Sequence, residues 1–124
     1  MILIFGGSYN GKVKFAKEKF ELMGKDIFYC RNEDIDYNAK IICDLHIFVK
    51  KCVEKNIIST EIIKENIGKL RDKIIICDEI NSGIVPIKEI DRKYREECGL
   101  LLQYLSNEAN EVYRVFFGLG QKLK

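Results

Sequence analysis

Gly6-Gly7-Ser8-Tyr9-Asn10-Gly11-Lys12 satisfies G-x-x-x-x-G-K, the spacing of a loop that cradles phosphates. In such a loop the glycines let backbone N–H groups curl around an anion, and the lysine reaches the β- and γ-phosphates. The next position should carry a Ser or Thr hydroxyl for Mg²⁺, and here it is Val13. Gly6, Gly7, Ser8, Asn10, Gly11, Lys12 and Val13 therefore form the expected nucleotide-binding segment for a nucleoside triphosphate, ATP or GTP. Lys12 is its catalytic cation, and Mg²⁺ is held more weakly because Val13 offers only methyl groups.

Three acidic residues follow apolar runs: Asp44, Asp78 and Glu79. Ligands of α/β sheets collect at the carboxyl ends of strands, where such acids would stand. Asp44 reads equally well as a carboxylate supporting Mg²⁺ and as the cap of the following helix. The sole histidine, His46, fits a packed or capping residue better than a nucleophile. Five cysteines, an odd number without a C-x-x-C pair, read as buried, reduced, structural thiols. They argue for a reducing, cytoplasmic setting.

The elements that must position these groups alternate in type. Ile2–Phe5, Asp26–Cys30, Ala39–Asp44, Lys73–Asp78 and Glu111–Phe117 read as strands. A helix is expected from Gly11 to about Met23, closed by Gly24, with Val13, Ala16 and Phe20 on one side. Leu45, Phe48, Val49, Cys52 and Val53 mark a packed helix, and a short one follows, capped near Ser59. Pro86 suits the first turn of the longest helix, whose face carries Ile87, Ile90, Tyr94, Cys98, Leu101, Leu102 and Leu105. Gly118-Leu119-Gly120 begins a short basic tail. Alternating strands and helices imply an α/β fold, a largely parallel sheet with helices on both faces.

One domain, residues 1–124, is the natural count, and 47% hydrophobic residues suffice for a core. The 21 basic and 19 acidic residues leave a net charge of +2, with no basic stripe for nucleic acid. No apolar run approaches the ~20 residues of a membrane span. The N-terminus shows neither a charged n-region nor a cleavage site, so no signal peptide is expected.

Beyond the loop, Asp78-Glu79-Ile80-Asn81-Ser82-Gly83-Ile84-Val85-Pro86 resembles the N-E-V-G-x-G-I-V-P segment of the adenosylcobinamide kinase / adenosylcobinamide-phosphate guanylyltransferase family. Arg92–Glu96 is similar to its R-x-F-R-D, and Gly99 and Gln103 fall where its G-x-x-N-Q has glycine and glutamine. Ala109–Tyr113 resembles A-D-E-V-W/Y, the ending Gly118–Lys124 resembles G-x-x-x-K-[IL]-K, and Ile2–Gly7 resembles the I-L-V-T-G-G start. The resemblance spans roughly two-thirds of the chain. It implies a P-loop NTPase-like fold, phosphorylation of the adenosylcobinamide hydroxyl, GMP transfer through a guanylylated histidine, and a homotrimer. It also implies phosphate contacts for Gly6, Gly7, Gly11 and Lys12, a metal-supporting role for Asp44 and a catalytic role for Glu79.

The departures are as specific. Where the family carries H-x-x-x-R-P between its second and third strands, Arg31–Asn38 has neither His nor Pro, and the chain is shortened there. His46 lies in a different segment, so it does not inherit the nucleophile's role. Asp78 stands where the family has Asn, and Leu102 where G-x-x-N-Q has Asn. Two functions follow from these residues: a kinase-type enzyme that has lost histidine-mediated guanylylation, or a degenerate paralogue that binds a nucleotide or corrinoid or acts in assembly. Dependence on Mg²⁺ separates them.

Overall fold

The computed structural model describes residues 1–21, 26–80 and 88–124. Its elements run β1 (Ile2–Gly6), α1 (Lys12–Phe20), β2 (Ile27–Tyr29), β3 (Ile41–Cys43), α2 (Leu45–Glu54), α3 (Ser59–Glu65), α4 (Ile67–Leu70), β4 (Ile74–Asp78), α5 (Glu89–Glu108), β5 (Glu111–Phe116) and β6 (Leu119–Lys122). They build one six-stranded sheet in the order β2-β3-β4-β1-β5-β6. The first five strands are parallel, and β6 pairs antiparallel with β5. This is the α/β architecture that the alternation of elements predicts.

A strand covered on both faces has no solvent side, so it reads as a continuous apolar run rather than an alternation. Ile74-Ile75-Ile76-Cys77 of β4 is such a run, and all four residues are buried. Successive side chains divide between two cores. Ile75 and Cys77 join Leu3, Phe48, Val49, Leu101 and Leu105 on the face covered by α2 and α5. Ile74 and Ile76 join Ile4, Ala16, Tyr113 and Val115 on the face covered by α1. That parity decides the fate of the acids ending β4.

The ending Leu119–Lys122 is a strand rather than a tail. Phe117 and Gly118, with φ of 51° and 76°, form the two-residue turn. Left-handed conformation at both turn positions matches the twist of a tight hairpin, and glycine takes it at no steric cost. The expected single helix after Ser59 is two, α3 and α4, broken at Asn66. Ser59 is the first residue of α3 and not its cap, and its hydroxyl is buried without a partner. Helix α1 stops at Phe20, where left-handed Glu21 closes it by donating its N–H to the carbonyl of Lys17. Gly24, Met23, the turn at Gly83–Pro86 and Ile87 lie outside the described residues. No described helix is long and apolar enough to cross a membrane.

Candidate functional site

The loop between β1 and α1 sits at the carboxyl end of the sheet, between the ends of β4 and β5. Gly6 is required there by close approach: a Cβ would stand 2.3 Å from the carbonyl oxygen of Val115. Gly11 adopts φ 82° and abuts Gly118, so a side chain there meets both strain and crowding. The loop is further fixed by the N–H of Gly118, which donates to the carbonyl of Asn10 at 2.8 Å, and by the N–H of Glu79, which donates to that of Gly6 at 2.7 Å.

Lys12, the first residue of α1, is only 7% exposed. Its ammonium donates to the carbonyl of Gly7 at 2.7 Å and lies 2.7 Å from Oδ1 of Asp78. The hydroxyl of Ser8 donates to Oδ2 of the same carboxylate at 2.7 Å. His46, the second residue of α2, completes the cluster. The N–H of Asp78 donates to its Nδ1 at 3.1 Å, and its Nε2 lies 3.4 Å from Asp78 Oδ2. An accepting Nδ1 means that the neutral ring carries its proton on Nε2. Burial holds the His46 pKa below the usual histidine value, outweighing the nearby acids Asp78 and Asp44. Burial pushes the Asp78 carboxyl up, but hydrogen bonds from Lys12 and Ser8 and the proximity of His46 bring it below the usual range. The pairing therefore stabilises the fold above the ordinary carboxyl pKa and loses its effect as pH falls past it.

A cavity of about 410 Å³ opens beside the cluster, lined by Ser8, Gly11, Lys12, Val13, Asp44 and Asp78 together with Tyr9, Lys14, Tyr29, Cys43 and Ile76. Asp44 stands at the N-cap position of α2 in a left-handed conformation, φ 59°; its carbonyl accepts from the N–H of Ile47 at 2.9 Å, and its side chain makes no capping bond and lines the cavity. Its Oδ1 accepts a long contact, 3.6 Å, from the thiol of Cys43. Among the described residues no group of three or more His, Cys, Asp and Glu could hold a metal. Asp44, Asp78 and Ser8 line the cavity, with Asp78 already held by Lys12 and by the Ser8 hydroxyl, and the Val13 side chain contributes no oxygen.

The structure thus gathers Ser8, Gly11, Lys12, Val13 and Asp44 around one space and sends Glu79 elsewhere. Glu79 faces the α5 side of the sheet, where Arg114 Nη2 donates to its Oε2 at 3.1 Å. There it lines a separate hollow with Phe5, Gly99, Leu102, Gln103, Ser106 and Asn107. The residues that sequence reasoning left without a role are Asp78 and His46. Both were visible as departures, an Asp for the family's Asn and a lone histidine. Only their contact shows that the two belong together.

All five cysteines are buried and free, as their pattern predicts. Burial pushes the thiols of Cys30, Cys43 and Cys98 up to about 12 and that of Cys52 to about 11.

Comparison with known proteins agrees with the motifs of the C-terminal part. The sequence model of the family "Cobinamide kinase / cobinamide phosphate guanyltransferase" matches residues 41–123, from β3 to the end of the sheet. The phosphate-loop segment lies outside that match. The bifunctional adenosylcobalamin biosynthesis protein CobU of Escherichia coli K12 is 37% identical over 51 residues, 41% of this chain and 28% of that protein. Its counterpart from Salmonella typhimurium LT2 is 35% identical over the same shares. The aligned stretch thus spans under a third of these relatives. With more than half of the sequence matched, in an α/β sheet whose β1–α1 loop holds a buried lysine, the chain belongs to the cobinamide kinase / cobinamide phosphate guanyltransferase family.

Proposed function

We propose that this chain binds the phosphates of ATP or GTP on Gly6–Lys12 and transfers a phosphoryl group to adenosylcobinamide, without guanylyl transfer through a histidine. The observation that carries this reading is the convergence of Lys12 with Asp44 and Asp78 on one cavity at the carboxyl ends of parallel strands. Phosphoryl transfer asks the protein for positioning and charge neutralisation rather than a covalent intermediate. Lys12 supplies charge toward the terminal phosphates, and amides at the start of α1 face the same anion. Asp44 would hold Mg²⁺ beside the phosphates, with Asp78 and Ser8 in reach; the cation, when bound, shields their charge. Glu79, on the Arg114 side, would serve the acceptor from the neighbouring hollow. A homotrimer belongs to the same reading; light scattering at high concentration giving a 14.4 kDa monomer removes it.

The second reading, a binding or assembly protein without turnover, is favoured by two observations: Val13 lacks the hydroxyl, and Lys12 is already neutralised by Asp78. Val13→Thr separates the two. Thr is nearly isosteric with Val, so the loop keeps its shape while Mg²⁺ gains an oxygen. A hydrogen bond involving a charged group is worth about 1.5–3 kcal/mol, and a ligand oxygen should be comparable, so Mg²⁺-dependent nucleotide affinity should rise roughly ten- to a hundred-fold. A variant matching the wild type in both Mg²⁺ dependence and cobinamide phosphorylation would sink the enzyme reading.

Loss of guanylylation is checked directly. His46 is the chain's one histidine, and its ring is engaged at both nitrogens by Asp78. Incubation with α-labelled GTP should leave no acid-labile label on the protein. Label that disappears in His46→Ala would overturn this part.

A further inference from the structure

We infer that His46 is a positioning residue for phosphate binding: it takes over the Asp78 carboxylate when an incoming phosphate draws Lys12 away. The role rests on the phosphate reading above. The two oxygens of Asp78 are held unequally. Oδ1 pairs with Lys12 at 2.7 Å, whereas Oδ2 accepts from the Ser8 hydroxyl at 2.7 Å and has Nε2 of His46 as a further neighbour at 3.4 Å. A phosphate that claims Lys12 therefore strips the partner from Oδ1 and leaves Oδ2 anchored. A nearly buried carboxylate that loses its cation is costly, and the charge of the phosphate adds repulsion. A second donor to Asp78 lowers that cost.

The geometry supplies this donor. The N–H of Asp78 donates to Nδ1 of His46 at 3.1 Å, so the neutral ring carries its proton on Nε2, the nitrogen beside the carboxylate. Their separation of 3.4 Å lies beyond the roughly 3.2 Å limit of a well-formed N–H···O bond, so the contact is poised and not yet made. The backbone is fixed on either side of the carboxylate: the N–H of Asp78 is held by His46, and that of Glu79 by the carbonyl of Gly6 at 2.7 Å. Rotation about the Asp78 side-chain bonds is then enough to close the gap. A carboxylate oxygen accepts two hydrogen bonds, so Ser8 keeps its own. His46 is itself buried, in the first turn of a helix whose Leu45, Phe48 and Val49 are packed in the core. The donor therefore stands at a set place, which positioning requires.

The test titrates ATP, GTP and inorganic tripolyphosphate calorimetrically, with Mg²⁺, into the full chain and its variants. His46→Asn keeps an oxygen near the Nδ1 position for the Asp78 N–H but has no donor where Nε2 stands. His46→Gln keeps that donor and gives up the acceptor. His46→Asn should bind all three ligands roughly ten-fold more weakly, the worth of one hydrogen bond to a charged group. His46→Gln should bind close to the wild type while melting lower, because the Asp78 N–H loses its partner. In an Asp78→Asn background, with no carboxylate to receive, His46→Asn should cost no further affinity. A loss of equal size in both backgrounds, or none in either, marks the ring as packing and overturns the inference. A readout without any substitution follows from His46 being the chain's one histidine. In untagged wild-type protein its Nε2 proton resonance should move downfield as tripolyphosphate saturates the site, because the bond to the carboxylate shortens. A resonance that stays in place while tripolyphosphate binds overturns the inference and leaves the phosphate loop standing. Wild-type protein that binds none of the three ligands removes the phosphate reading and this role with it.

Discussion

Lys12→Ala is expected to abolish nucleotide binding and to leave a folded, less stable protein. A ligand at a hundred times its dissociation constant stabilises the native state by about 2.7 kcal/mol. In a domain of this size that raises the melting temperature by very roughly 10 °C. In the alanine variant most of that rise should vanish. The unliganded variant should itself melt lower, because Lys12 and Asp78 are 8% and 16% exposed in their side chains and form a close ion pair. Removing one partner of such a pair leaves a poorly compensated carboxylate and costs on the order of 3 kcal/mol. Each variant is therefore compared with its own unliganded state.

Asp78→Asn is the companion variant. In the resting structure Lys12 is held by Asp78 and by the Gly7 carbonyl, so an incoming phosphate must compete for it. Asparagine can still accept from Ser8 but withdraws the negative charge, and phosphate affinity should rise. A wild-type melting temperature unmoved by millimolar ATP and GTP would remove nucleotide binding. Undiminished stabilisation by nucleotide in Lys12→Ala would remove the role given to this lysine.

The second large effect is alkaline unfolding. Five thiols are buried, and burial lifts each above its ordinary value near 9.0. A group whose folded pKa is raised contributes its full stabilisation below the unfolded value and loses it as pH rises toward the folded one. Each thiol that ionises only in the unfolded chain costs the fold about 1.4 kcal/mol per pH unit. At pH 10 the five together cost about 7 kcal/mol, which is on the order of the entire stability of a small domain. The urea midpoint should therefore be level near pH 8 and collapse between pH 9 and 10.5. Native protein at pH 8 should resist a thiol reagent that labels five cysteines in guanidinium. Rapid labelling of even one thiol in the native state would show that burial does not protect it.

Much of this was legible in the chain. The run Ile74–Cys77 is buried on both faces, and its apolar continuity declares that without knowledge of any neighbour. The G-x-x-x-x-G-K spacing, Val13 in place of a hydroxyl and the thiols' burial are equally local properties. The hairpin was less so. Leu119–Lys122 is exposed along its whole length, so it lacks the apolar signal of a strand, and it exists because β5 offers an unpaired edge.

The sequence by itself determined which residues could do chemistry: a phosphate-sized loop, a lysine, three strand-end acids and one histidine. Only the tertiary structure decided which of them meet. Local periodicity carries no information about strand order, and it is the order β3-β4-β1 that brings Asp78 opposite Gly6 in register while Asp44 stands one strand further away. Asp78 and Glu79 are adjacent in sequence, yet one joins Lys12, Ser8 and His46 and the other joins Arg114 across the sheet. Side chains of an extended chain alternate between faces, so neighbours at a strand end are assigned to opposite sides, and the packing of α1 on one face and α5 on the other settles which acid meets the lysine.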